Sequence, residues 1–370
     1  MTDATSGGLT TTIPAARSEL TAVPASRGVN NLGYRTWSDK LVPGWTRWWV
    51  ITEVGARRAW QSRWLRRMML FAWLPAVWFG VGFFLWEQMA THPEWKSGLH
   101  PFLQDLPDTP ELNRIRDAVS SKDVEQSRHT VWAWLLLSFF RNPQAVLMVM
   151  VIGVISPPLI SQDIRSRAFL LYFSRPLTRF EYLIGKLATL WAYLAVISTL
   201  PALTLYVLGI LLSQDTVVIH STWDMPLRII GASVVLMLPT SMLALCCSSL
   251  TQESRYAAFG WFAIWILGWF TYVAATSVET FNATQEAIEA HEQAPRQPGR
   301  RFRRPERRVT PLKESVWTHL SLYHTLGRVQ RWMFGFAEFK DVAVSAAILM
   351  AVTLASLGIT YYKISAPMRV

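Results

Sequence analysis

Few residues in this 370-residue chain have the types and spacing to do chemistry. Gly185 and Lys186 match the Gly-Lys pair with which a phosphate-binding loop ends, where backbone N–H groups cradle phosphates and the lysine neutralises them. Leu187 follows the pair and no glycine precedes it at the loop's spacing, so the chain does not bind ATP in that way. The seven histidines include no H-E-x-x-H arrangement. His319 and His324 stand five apart, which suits neither helical spacing that makes a metal chelate, and both are expected at an apolar–water boundary. Cys246 and Cys247, the only cysteines, are adjacent inside an apolar run and imply neither a disulfide framework nor a zinc site. No G-x-S-x-G nucleophile occurs. What remains is electrostatic: a charged stretch from Ser161 to Lys186 carries Arg165, Arg167, Arg175, Arg179 and Lys186 against Asp163 and Glu181. Its chemistry is that of docking and orientation rather than bond-making.

Two long apolar runs flank that stretch, one ending near Ile160 and the other beginning at Leu187. Short loops rich in Lys and Arg stay on the cytoplasmic side of a membrane, which places the stretch there. Ile164, Ala168 and Leu171 recur at helical spacing; Ser174 and Pro176 then stop the helix. Thr178, with Glu181 three residues later, predicts a capping box that starts the next helix. The pattern reads as a short helix across the membrane face, a turn, and re-entry. Such a helix would present Asp163, Arg165, Arg167 and Arg175 to a soluble partner, with Ile164, Ala168 and Leu171 holding its other side.

This segment resembles the first cytoplasmic loop of ABC-2 type permeases, the membrane subunits of a large class of ATP-driven exporters. The marks are Asp163, a helix through Phe173, the turn Ser174 to Pro176, Arg179, and Gly185 with Lys186 just before a span. Many members carry Gly-Thr where this chain has Arg167 and Ala168, so the helix here is expected to be longer or more basic. The resemblance implies that this is a coupling helix seated in a groove of a separate ATPase subunit. Asp163, Arg165, Arg167, Leu171, Ser174, Arg175 and Pro176 would then be its contacts, with Arg179, Glu181, Gly185 and Lys186 as the motif that follows. It also implies a second permease half, in a homo- or heterodimer, and ATP with Mg on the partner ATPase. This chain would then bind no cofactor or metal and catalyse nothing itself. A reading from another class also stands: a membrane-embedded assembly or scaffold protein whose loop docks a soluble partner without transport. Apolar span faces suit lipids, peptides and drugs alike, so the cargo is not legible.

The elements that must position this loop follow from composition. Hydrophobic residues make up 51% of the chain and charged ones 16%, and the mean hydropathy is +0.21, too apolar for an ordinary soluble domain. Nineteen tryptophans suit membrane interfaces. The net charge of +11 belongs to basic residues flanking apolar runs, which fits anionic lipid headgroups and not nucleic acid. The expected fold is an all-α polytopic membrane protein of six transmembrane helices, with an N-terminal interfacial elbow helix and the coupling helix between spans 2 and 3. Residues 1–42 read as a disordered cytoplasmic tail, and 43–67, where Arg alternates with Trp, as the amphipathic elbow; a targeting or partner-binding helix is the alternative there. The spans are expected at about 68–86, 143–160, 187–212, 227–250, 256–275 and 342–361 within a permease domain 68–370. Six Arg before the first span and an acidic loop after it put the N-terminus inside, and six spans return the C-terminus to that side, at the cell (inner, cytoplasmic) membrane.

Two regions are less regular. Val131 to Phe140 is too short to cross and is read as a helix dipping into the outer leaflet, with Pro143 opening the real second span and Pro157 and Pro158 kinking its end. The loop 276–341 counts as external yet holds seven Arg between Arg296 and Arg308. It is either an arm for phosphate-bearing lipids or a polyanionic cargo, or a solvated, Pro-interrupted linker. Val316 to Phe336 after it reads as a helix lying on the outer surface.

Overall fold

The computed structural model describes residues 46–92, 110–121, 123–173, 177–213, 217–293 and 316–365. Among them every regular element is helical, and six stretches are long and apolar enough to cross a membrane. These are span 1 (Arg63–Thr91), span 2 (Val124–Arg165), span 3 (Arg179–Leu212), span 4 (Met225–Leu250), span 5 (Ser254–Asn282) and span 6 (Phe339–Ser365). The six-span, all-α expectation holds. Span 5 exposes Phe259, Ile266, Leu267, Trp269 and Phe270, a face that only a lipid or protein neighbour would tolerate. Further helices among the described residues include α1 (Arg47–Trp60), α2 (Pro110–Ser120), α3 (Ala168–Phe173) and α4 (Leu322–Met333).

Span 2 differs from its expected form. It runs on from Val124 through a π-turn at Phe140–Gln144 that contains Pro143, and bends only at Ser156, ahead of Pro157. Val131–Phe140 is therefore not a separate dipping helix, and Pro143 opens nothing. The physical reason is burial: Trp132, Leu136, Phe139 and Phe140 are covered by protein, and the wide turn accommodates a proline that has no N–H to give. The Gln144 amide donates to the Ala72 carbonyl at 3.1 Å and ties this turn to span 1. Span 3 carries a second π-turn, Ala195–Thr199, just before Pro201, and the two wide turns pack against each other.

The helix that begins span 5 continues to Gln293, so the loop expected from residue 276 is helical in its first part. The Arg-rich stretch 296–308 and the tail 1–42 lie outside the described residues. α4 does not lie on the surface. Thr325, Leu326, Val329 and Gln330 are buried where it wedges against spans 4, 5 and 6, and Arg328 donates to the Asp341 carbonyl at 2.9 Å. His324 stacks on Tyr272 with ring centroids 3.5 Å apart. Burial, then the charges of Arg141 and Arg331, push its pKa down to about 4, so at neutral pH it is an uncharged packing residue.

Candidate functional site

Asp163 sits on the last turn of span 2, and Lys186 and Tyr182 lie one turn apart on span 3. The Lys186 ammonium meets Asp163 Oδ2 at 2.7 Å, and the Tyr182 hydroxyl donates to the same oxygen at 2.7 Å. Lys186 Nζ also lies 5.3 Å from the centre of the Tyr182 ring. Asp163 is 5% exposed, Lys186 8% and Tyr182 0%, so this is a desolvated ion pair with a third member. Asp163 is thus turned toward Lys186 and Tyr182 and not onto the exposed face of its helix. Its carboxylate is held inward by Lys186 and Tyr182, and burying it unpaired would cost roughly several kcal/mol.

Tyr182 extends the unit to α3. Its ring packs edge-on against Phe169 and Phe173 and at a tilt against Tyr172. The Tyr172 phenol is held above its ordinary pKa by burial and then by the Asp163 charge, with Arg58 opposing. A displacement of α3 therefore reaches the ion pair through aromatic contact, and through the pair reaches spans 2 and 3 together.

The basic residues fall elsewhere. Arg165 is exposed and pairs at 3.0 Å with Glu253, in the tight connection between spans 4 and 5. Arg167 is also exposed and has φ +54°, the left-handed region that costs an L-residue about 1–2 kcal/mol. It breaks the chain into the end of span 2 and the separate helix α3, so the longer helix expected from Asp163 to Phe173 does not form. This is the position at which many of the resembling loops carry Gly, the residue that adopts this conformation freely. Leu171 lies in α3, but its side chain, like Ser174, Arg175 and Pro176, is outside the described residues.

The motif after the turn has a structural account at each position. Thr178 and Glu181 close the expected capping box, with the Thr178 N–H donating to Glu181 Oε2 at 2.7 Å and the Glu181 N–H to Thr178 Oγ1 at 3.2 Å. Arg179 donates to Ser365 Oγ at 2.7 Å and ties the start of span 3 to the end of span 6. Gly185 is a point of close approach: a Cβ there would meet Ile51 Cβ at 2.7 Å and the Trp48 carbonyl at 2.8 Å. α1 thus runs along the first half of span 3, where Thr52 donates to the Gly185 carbonyl at 3.1 Å and Tyr193 to the Ala56 carbonyl at 2.6 Å. Gly185 and Lys186 serve two faces of one helix, and neither serves a phosphate loop.

A second buried pair escaped the sequence reading. Arg128, near the start of span 2, grips Glu87 of span 1 through two bonds of 3.0 Å each, and the Trp132 indole donates to Glu87 Oε1 at 3.2 Å. Glu87 is 2% and Arg128 5% exposed. The signal was a lone carboxylate closing one apolar run and a lone guanidinium opening the next, visible only once Val124–Phe139 is read as helix. Beside it, Asp224 accepts from His129 at 3.1 Å and Arg228 at 2.6 Å. Burial raises the Asp224 pKa, but these bonds outweigh it and hold the carboxyl below its ordinary value.

A loop of this composition, closed by a capping box and a Gly-Lys pair and carried on six apolar helices, can be set against known families. The family model described as ABC-2 family transporter protein matches residues 104–364, from ahead of span 2 to the last turn of span 6. The chain belongs to the ABC-2 transporter family. It is a multi-pass membrane permease of that family, and the buried pair Asp163–Lys186, α3 and the capping box all lie within the matched part. No curated protein and no solved structure matches the chain.

Proposed function

We propose that this permease is the membrane half of an ATP-driven exporter whose ATPase is a separate subunit carrying ATP and Mg, and that α3 is the coupling helix. The observation that supports this reading most is the attachment of α3, through Tyr182, to an ion pair that joins spans 2 and 3. A helix so attached passes a push at the membrane face to two spans at once. In this reading the connection between spans 2 and 3 and both termini are cytoplasmic, α1 is the elbow helix, and a second permease half completes the path. Exposed Arg165 and Leu170 are the side chains best placed to meet the ATPase, while Asp163 acts one layer behind them.

The test combines association with topology. Arg165→Glu should lower recovery of the ATPase in co-purification while the permease still inserts, because reversing one charge at a protein interface leaves like charges opposed. Asp163→Asn should keep the ATPase bound but lose transport-linked stimulation of hydrolysis. A cysteine at Ser166 should be labelled from the cytoplasm only. Undiminished association of the Arg165 variant together with normal stimulation of the Asp163 variant would remove this region from coupling, and ATP hydrolysis by the purified chain alone would overturn the division of labour.

A further inference from the structure

The ion pair forms the polar floor of a cleft of about 360 Å³ between α1, the start of span 1 and the inner part of span 2. Its walls are apolar, with Leu65, Leu159 and Ile155 buried, whereas Val50, Val54 and Val154 are 56%, 61% and 38% exposed and leave it open. At its polar end the cleft is lined by Arg58, Tyr172, Gln162 and Lys186 together with Asp163. The Arg58 guanidinium and the Tyr172 hydroxyl have no hydrogen-bond partner among the described residues. Gln162 leaves a buried side-chain oxygen unpartnered, and Lys186 spends only one of its three N–H groups on Asp163. Two cations stand against one carboxylate, so the polar end carries an uncompensated positive charge.

From this combination of an apolar slot open to the side and a positively charged floor with spare donors, we propose that the cleft holds a resident anionic phospholipid. One acyl chain lies between α1 and span 2 along Val54 and Val154. The phosphate accepts from Arg58, Tyr172 and Lys186. The lipid phosphate and the Asp163 carboxylate then share Lys186, so the headgroup bears on the same pair that joins spans 2 and 3. No ATPase is needed for this binding, and it stands or falls apart from the exporter reading.

The test uses phosphatidylglycerol and phosphatidylcholine of equal chain length as probes. The permease is stripped in detergent, offered an equimolar mixture of the two, and the lipid retained per chain is counted by native mass spectrometry. The wild type should retain one phosphatidylglycerol in preference to phosphatidylcholine. Arg58→Gln, at an exposed position, should lower that preference about fivefold, the weight of one basic residue at an anionic surface. Val154→Trp, which fills the slot, should abolish retention of both lipids. Arg67→Gln removes an equal charge from the exposed face of span 1 outside the cleft and should change nothing. Equal retention by all four proteins would overturn the proposal, and so would an Arg67 variant that loses as much as the Arg58 variant, since the preference would then belong to a basic surface and not to a site.

Discussion

Span 2 is fastened at both ends by a buried ion pair, and the two fastenings are built differently. Glu87–Arg128 is bidentate, with an indole on the same carboxylate, and the Asp224–His129–Arg228 cluster stands beside it. Asp163–Lys186 is a single contact shared with Tyr182, bordered by a cleft and by a short helix on a left-handed joint. The first joins span 1 to span 2 through a fork of two parallel bonds, which resists rotation. The second joins spans 2 and 3 through a point charge on a flexible stem, which tolerates it. The lesson is that one end of the helix is an anchor and the other an articulation.

The comparison breaks first at the anchor. Glu87→Ala leaves the Arg128 guanidinium buried and unpaired and should cost about 3–5 kcal/mol, read as lost monodisperse protein or a large fall in Tm. A small effect would mean that water reaches the pair and that it is no anchor. At the articulation, Lys186→Ala should also destabilise, but by less, because Tyr182 still donates to Asp163 and the neighbouring cleft can admit water. The double change Asp163→Leu with Lys186→Met should recover most of that stability, as replacing both partners of a buried pair by apolar groups often does, and yet fail in transport. Thermal melts and transport in vesicles separate the two outcomes, and a double variant that transports normally would reduce the pair to packing.

Smaller effects sharpen the picture. Gly185→Val drives a branched side chain into Ile51 and the Trp48 carbonyl and should displace α1 from span 3 at about 1–3 kcal/mol, seen as faster proteolysis within residues 47–60. Arg167→Gly should stabilise slightly, by about 0.5–1 kcal/mol, because glycine takes the left-handed conformation without strain. Destabilisation by that change would show that the Arg167 side chain holds the joint in place.

Much of the frame was legible because its causes are local. Apolar runs long enough to cross, the Thr178–Glu181 box and the break after Ile155 all depend on residues within a few positions of each other. What stayed hidden depends on distant partners. Pro143 reads as a helix start by local rules, but the protein packed around Phe139 and Phe140 lets the chain continue through a wide turn. Asp163 reads as a docking charge because its helix was drawn past Arg167, whereas Lys186, 23 positions away, claims it. α4 reads as a surface helix since half of its residues are polar; Thr325, Arg328 and Gln330 are instead buried.

The paired wide turns in spans 2 and 3 bear on how far a push can travel. An unbroken helix behaves as a stiff rod, whereas each π-turn replaces i→i+4 bonds by longer i→i+5 ones and gives the axis a place to flex. Because Phe140–Gln144 and Ala195–Thr199 lie against each other, the two rods share one elbow, with Pro143 on one side and Pro201 just beyond the other. Movement begun at α3 would then be geared at that level, swinging the inner limbs of both rods as a couple while the limbs beyond stay clamped.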